Sequence, residues 1–313
     1  MKSKNLLYFT CFALFLDKSE SGGELGAHLP AQTYCAKGAE VSTVAKSLKV
    51  LTYNAGLLEV EILGHKVFES APYEDERLAA LPQALISTHA DVIALQEVYE
   101  QKHRLFLIET LHDVYPHHFY SRQHRRFRLD DSLLFFSKYP IVQREVLAYK
   151  NSVIEERLAA FKGALIAKLD IPGFGLVTFF NTHTLTGGIR DPQNVEVEKL
   201  RGEQIHQMVE RIEHSKGHDT KIVLGDFNTG PEASSANYKL FAVFKYIDAI
   251  ALKHPLFTDV TWDPNNKLNV GGHHRNCPPQ RIDHIFLREQ DLKHIKIDSA
   301  EIVLDKPIVQ ISG

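Results

Sequence analysis

Cysteine is scarce in this chain of 313 residues: Cys11, Cys35 and Cys277 are the three. No C-x-x-C pair occurs, which excludes a zinc ribbon and a thioredoxin-type redox centre. If the N-terminal segment is removed, Cys35 and Cys277 can pair; two unconnected thiols is the equal alternative. Tryptophan appears once, as Trp262. No apolar stretch approaches the roughly 20 residues that a membrane-spanning helix needs. Gly187-Gly188 builds neither a G-x-G-x-x-G fingerprint nor a P-loop, so nucleotide binding has no support. Neither sign of charge dominates: Lys plus Arg is 36, Asp plus Glu is 39, and the net charge is −3. A whole-molecule basic field for gripping nucleic acid is therefore absent, although a local patch stays open.

What is present is a globular balance, with 44% hydrophobic and 24% charged residues, which rules out a disordered or collagen-like chain. Lys2 and Lys4 precede an apolar run over residues 6–16. A basic start and a short apolar stretch resemble a secretory signal or anchor, with Ser19 and Ser21 as a weak cleavage site. A disordered or locally packed leader is the other reading. The first gives a secreted or membrane-associated protein; the alternative is a cytoplasmic one. Residues 1–46 are read as this leader, and residues 47–313 as one domain with no internal linker.

Within that domain α and β signals interleave. Alternation predicts strands over 48–54, 91–95, 132–137, 141–149, 162–169, 176–181, 221–224, 282–287 and 295–303. Helical spacing predicts helices over 75–89, 104–111, 195–214 and 236–244. Such interleaving favours a single α/β domain.

Four of these strands end in polar clusters: Asn54, Gln96-Glu97, Asn181-Thr182-His183 and Gly225-Asp226-Phe227-Asn228. A fifth cluster, Arg281-Ile282-Asp283-His284, opens a late strand. Ligands of α/β sheets bind at strand ends. Taken singly, Glu97 reads as a solvated carboxylate, Asn54 as a turn residue and His183 as a core histidine. Together, carboxylates, carboxamides and a histidine form the kit for metal-assisted attack on phosphorus. Oxygen ligands hold a hard cation, and carboxamide and imidazole donors stabilise phosphoryl oxygens.

In this order the segments Leu51-Thr52-Tyr53-Asn54, Leu95-Gln96-Glu97-Val98, Asn181-Thr182-His183, Gly225-Asp226-Phe227-Asn228 and Asp283-His284-Ile285-Phe286 resemble the endonuclease/exonuclease/phosphatase superfamily over about residues 48–310. Further segments resemble its neutral and bacterial sphingomyelinase branch: Phe161-Lys162-Gly163-Ala164-Leu165, Arg201-Gly202-Glu203-Gln204-Ile205, Thr261-Trp262-Asp263-Pro264 and Leu304-Asp305-Lys306-Pro307. The resemblance implies a DNase I-like, four-layer α/β sandwich of two mixed β-sheets flanked by helices. It implies a phosphodiesterase using Mg²⁺ or Mn²⁺, acting as a monomer on a phospholipid at a membrane surface, with nucleic acid the less favoured substrate. A DNase-like nuclease and a catalytically dead lipid-binding module are the alternatives. Carried over residue by residue, Glu97 is the principal metal ligand with Asn54 beside it, and Asn54 and Lys162 reach the phosphate. Asp226 and Asn228 position the attacking water, His183 stabilises phosphoryl oxygens, and Asp283 supports the family's catalytic histidine.

The family pattern closes with Ser-Asp-His, whereas this chain ends at Ile311-Ser312-Gly313. The expectation is a domain lacking its last strand and a poor enzyme; His284 and His294 lie too early to stand in. Elsewhere, the basic run 122–128 suits anionic head groups, a nucleic-acid backbone or a solvated hairpin tip. His112, His117 and His118 lack zinc-site spacing. His273-His274 belongs to a surface loop, and Trp262 to turn packing.

Overall fold

The computed structural model describes residues 5–7, 11–18, 47–62, 65–69, 71–121, 132–152, 162–187, 194–215, 217–256, 258–269, 276–304 and 309–311. The strands are β1 (Asn5–Leu7), β2 (Cys11–Lys18), β3 (Ser47–Leu57), β4 (Glu59–Ile62), β5 (His65–Glu69), β6 (Val92–Val98), β7 (His117–Tyr120), β8 (Leu134–Ser137), β9 (Ile141–Ala148), β10 (Gly163–Ile171), β11 (Gly175–His183), β12 (Thr220–Asp226), β13 (Tyr246–Asp248), β14 (Asp283–Arg288), β15 (Ile295–Val303) and β16 (Val309–Ile311). The helices are α1 (Glu74–Ser87), α2 (Gln101–Leu111), α3 (Val195–Glu213), α4 (Ser235–Val243) and α5 (Ala249–Lys253).

Two six-stranded sheets form the centre, ordered β15-β2-β3-β6-β8-β7 and β13-β14-β12-β11-β10-β9. Each contains one parallel pair among its described strands, β3 with β6 and β11 with β12; every other neighbour is antiparallel. The inner faces meet in one buried cluster. Val50, Val92 and Phe135 of the first sheet pack against Leu165, Phe179, Ile222 and Ile285 of the second. Leu81 and Leu85 of α1 and Leu107 and Leu111 of α2 cover the outer face of the first sheet. Ile205, Met208 and Ile212 of α3 and Phe241 of α4 cover Phe180, Val223 and Phe286 on the outer face of the second. The result is the expected sandwich, helix on sheet on sheet on helix. Strands buried on both faces read as unbroken apolar runs: in β6, Val92 and Ala94 turn to the other sheet, while Ile93 and Leu95 turn to the helices.

The same physics corrects the reading of the N-terminal run. Residues 11–18 form β2, held antiparallel between β3 and β15, with Leu14 opposite both Val50 and Ala300. Ala13 is buried toward the helices, and Leu14 and Leu16 toward the other sheet. The sheet therefore extends N-terminal of residue 47. A short apolar strand covered on both sides has the composition of a signal's apolar core, so hydrophobicity alone does not separate them. No helix among the described residues is long and apolar enough to cross a membrane.

Other boundaries move for local reasons. The first helix ends at Ser87, and His89 turns away with φ 57°. The second begins at Gln101, ahead of its apolar stripe. β7 escapes the alternation test because its residues, His117-His118-Phe119-Tyr120, are all half-buried. His112, His117 and His118 join no metal-ligand cluster among the described residues. The basic run 122–128, His273-His274 and residues 305–307 lie outside the described residues.

If β2 is a structural strand, Leu14→Ala should cost about 2–5 kcal/mol, the usual range for emptying a buried leucine site. Urea unfolding checks this; a dispensable leader predicts no change.

Candidate active site

Strand register assembles the site. Gly163 pairs with His183 between β10 and β11, His183 with Asp226 between β11 and β12, and Asp226 with Asp283 between β12 and β14. His183, Asp226 and Asp283 thus share one rung of the second sheet, and residues directly opposite each other on neighbouring strands share a face. In the first sheet Asn54 pairs with Gln96, and Glu97 follows. The C-terminal ends of the two parallel pairs therefore supply Asn54 and Glu97 from one sheet and His183 and Asp226 from the other, all at one rim.

Two polar bridges hold the rims together. Below the site, Gln96 Nε2 donates to Asn181 Oδ1 at 2.8 Å, and Asn181 Nδ2 donates to the carbonyls of Leu95 at 3.1 Å and Leu134 at 3.3 Å. Both carboxamides are fully buried. Within the site, Asn54 Nδ2 donates to Glu97 Oε1 at 3.0 Å and to Asp226 Oδ2 at 2.9 Å. Its Oδ1 accepts from Gly56 N at 3.0 Å, so oxygen ligation by Asn54 requires its carboxamide to turn over.

The backbone is bent to present these groups. Glu97 has φ 56° and Asn228 φ 48°, both in the left-handed region. Such residues cost about 1–3 kcal/mol each and concentrate at functional sites. Gly225 has φ 145°, and a Cβ there would lie 1.9 Å from the Thr182 carbonyl oxygen, so only glycine fits. Asn228 N donates to Asp226 Oδ1 at 2.9 Å, while its Nδ2 donates to the Thr184 carbonyl at 3.1 Å. Asn228 thereby fixes Asp226 and the β11 exit.

Burial dominates the electrostatics. It pushes Asp226 up to about 6, against the opposing hydrogen bonds from Asn54 and Asn228, with Glu97 adding to the rise. Asp283 is held well above the usual carboxylate range, by burial first and then by the charge of Asp226. His183 lies well below its ordinary value, again by burial first and then by Lys162, so its imidazole is neutral at pH 7. Lys162 is buried beside this group. His183 Nε2 sits 3.7 Å from Asp226 Oδ2 and 3.9 Å from Glu97 Oε1, and neither of its nitrogens has a hydrogen-bond partner.

These residues fit a divalent cation. Glu97, His183 and Asp226 offer ligand atoms that all lie within 4.8 Å of one another. The partnerless His183 nitrogens and Asp283 Oδ1 are buried in the same place, where an ion would relieve crowded carboxylates. The adjoining cleft is lined by Asn54, Glu97, Asp226 and Asp283, with Tyr53, Trp262 and Asn266 on its walls. Trp262, read from the sequence as turn packing, also forms a bridge with Gln280 and so anchors the wall it lines.

His284 stands apart. It pairs with Gly225, one position from the Asp226–Asp283 rung, so it faces the other side of the sheet, where it stacks on Phe286. Its Nδ1 lies 3.0 Å from Asp248 Oδ2, and its Nε2 lies 2.9 Å from the Thr229 carbonyl. A carbonyl only accepts, so Nε2 carries a hydrogen and offers water no lone pair.

Three supports were not read as such from the sequence. Arg77 donates to the carbonyls of Ala55, Gly56, Ala71 and Pro72 and so clamps the loop after Asn54. Thr261 Oγ1 accepts from the backbone nitrogens of Ile282 and Asp283. In the Arg201-Gly202-Glu203-Gln204 segment, Arg201 Nε donates to the Leu185 carbonyl at 2.9 Å and Gln204 Oε1 accepts from Leu185 N at 2.8 Å. That motif brackets the loop after His183 and performs no chemistry itself. The resemblance to the sphingomyelinase branch had marked the segment without giving its role.

A carboxylate whose folded-state pKa lies above its unfolded value stabilises the fold at low pH and loses that contribution as pH rises through the folded value. In chelator, Asp226→Asn should therefore raise stability at pH 7 by on the order of 2 kcal/mol. The gap over the parent should open between about pH 4, the unfolded aspartate value, and pH 6, and stay level above. Thermal unfolding across that range checks the sign; a less stable variant at pH 7 would contradict it.

The chain is similar to known proteins in sequence and in fold. A putative neutral sphingomyelinase of Drosophila melanogaster is 27% identical over 261 residues, covering 80% of this chain and 56% of that protein. The inositol phosphosphingolipids phospholipase C of Schizosaccharomyces pombe is 26% identical over 197 residues, covering 60% of this chain and 42% of that protein. The chain thus spans about half the length of these curated relatives. Sphingomyelinase C from Streptomyces griseocarneus superposes with a TM-score of 0.62 at 19% identity, covering 76% of this chain and 82% of that one. A beta toxin from Staphylococcus aureus solved with bound magnesium ions gives 0.61 at 19% identity, covering 77% and 83%. At these identities the likeness speaks for the fold, the two-sheet sandwich already described. Residues 51–299 match the model of the Endonuclease/Exonuclease/phosphatase family, so the chain belongs to that family, with its likeness running to the sphingomyelinase-like branch.

Proposed function

We propose that this chain is a sphingomyelinase-like phospholipase C. It hydrolyses the phosphodiester between a lipid alcohol and its head group, with Mg²⁺ or Mn²⁺ as cofactor, as a monomer bound peripherally to a phospholipid surface. The observation that carries the reading is the convergence of Glu97, His183 and Asp226 from opposite sheets, with ligand atoms within 4.8 Å of one another. The names of the sphingolipid-cleaving relatives and the magnesium-bound toxin of like fold support it.

In this reading Glu97 holds the ion, with Asn54 beside it. When bound, such an ion polarises phosphoryl oxygens and offsets their charge. Asp226, hydrogen-bonded by Asn54 beside Glu97, is the carboxylate placed to take a hydrogen from an attacking water. The Asn228 amide keeps that carboxylate aimed. Neutral His183 donates an N–H to a phosphoryl oxygen without the cost of burying a second charge. Lys162 adds positive charge on the same rim, and Asp283 stands opposite Asp226 on the neighbouring strand.

The test is phosphocholine release from sphingomyelin vesicles with Mg²⁺. Asp226→Asn should lower turnover by about 10²–10⁴, the usual contribution of a general base. Calorimetry should show weaker Mg²⁺ binding by Glu97→Gln; unchanged affinity removes Glu97 from the ligand role. Cleavage of DNA in place of lipid would move the chain to the nuclease reading. Lipid binding without turnover of either substrate would leave a dead module.

A further inference from the structure

A second cluster of potential ligands lies where the two helices covering the first sheet begin. Glu74 is the first residue of α1, Glu100 is the N-cap of α2, and His103 stands in the first turn of α2. One carboxylate oxygen from each glutamate and one ring nitrogen of His103 all lie within 4.8 Å of one another. His103 is 1% exposed, and neither of its nitrogens has a hydrogen-bond partner. Its Nδ1 is 3.9 Å from Glu74 Oε1, too far for a hydrogen bond and suited to two ligands flanking an ion. A buried imidazole with both nitrogens unanswered is unfavourable, so the ring is arranged for a partner that the described residues do not supply.

We propose that Glu74, Glu100 and His103 bind one divalent cation of the zinc type, at a site separate from the cleft. The donor set favours this class over Mg²⁺ or Ca²⁺, which take oxygen ligands. One imidazole and two carboxylates, with water in the fourth position, match zinc's ligand preferences. Burial holds His103 below its ordinary value, which leaves a nitrogen lone pair available at pH 7. Lys102 Nζ pairs with Glu100 Oε2 at 3.0 Å, but a carboxylate has a second oxygen to give. The positive ends of α1 and α2 together oppose a cation with roughly one charge, and two carboxylates outweigh them.

The location gives the site a consequence. Glu100 follows Glu97 by three residues, and α1 carries the Arg77 that clamps the loop after Asn54. An ion joining the starts of α1 and α2 ties together the loops behind two cleft residues.

The test uses the full chain carrying Glu97→Gln and Asp226→Asn, so that the cleft cluster is disabled, stripped with chelator and titrated with Co²⁺. One equivalent of Co²⁺ with visible ligand-field absorption, displaced by Zn²⁺, is expected. Adding His103→Gln or Glu100→Gln should weaken binding at least tenfold, with far-UV circular dichroism reporting the fold of each. Absence of Co²⁺ binding, or binding unchanged in both added variants, would overturn the proposal. So would loss confined to an unfolded His103→Gln protein while folded Glu100→Gln binds normally; a buried water then answers the ring.

Discussion

Two buried carboxamides, Gln96 on one sheet and Asn181 on the other, meet across the middle of this molecule in a 2.8 Å hydrogen bond. Apolar packing between sheets is strong but slides easily, because it has no preferred direction. A buried amide pair fixes position, since misalignment leaves donors and acceptors without water or partners at about 1–3 kcal/mol each. Asn181 also donates to carbonyls on two strands of the opposite sheet. That fixes the height at which Glu97 meets His183, and it is why Asn54 can reach Glu97 and Asp226 at once.

Above that bridge the structure spends stability. Glu97 and Asn228 hold left-handed backbone conformations, and Gly225 accepts a contact with Thr182 that no side chain would survive. Asp226 and Asp283 are buried within reach of each other's charge. Left-handed backbone at Glu97 and Asn228 and like charge at Asp226 and Asp283 meet at this rim, following the general trade of stability for function.

Much of this was legible in the sequence, for identifiable reasons. Asn54, Glu97, His183 and Asp226 ended apolar strands, and strand ends are where the period of two stops and polar residues become affordable. Asp283 began one, and register did the rest. The role of Gln96 was not legible, because a polar residue beside a candidate ligand reads as part of the site; its partner across the sheets is 85 residues away. Arg77 lay within a charged helix face, and nothing local distinguishes a cation bound to four carbonyls from one in water. Glu74 and His103 were invisible for the same reason. The apolar residues of β2 were seen without their place in the sheet, because two-sided burial erases alternation.

That strand has a further consequence, in the order of events. β2 lies between β3 and β15, with Leu14 facing Val50 on one side and Ala300 on the other. As the chain is synthesised, one edge of β2 can be covered by β3 early. The other stays open until the segment around Ala300 has emerged. Contacts between such distant segments form slowly, and an open apolar edge is a template for the wrong neighbour. The second sheet has no such wait for its four strands β9–β10–β11–β12, which follow one another in sequence. Until the segment around Ala300 has emerged, β2 therefore keeps one apolar edge without the neighbour it has in the finished sheet.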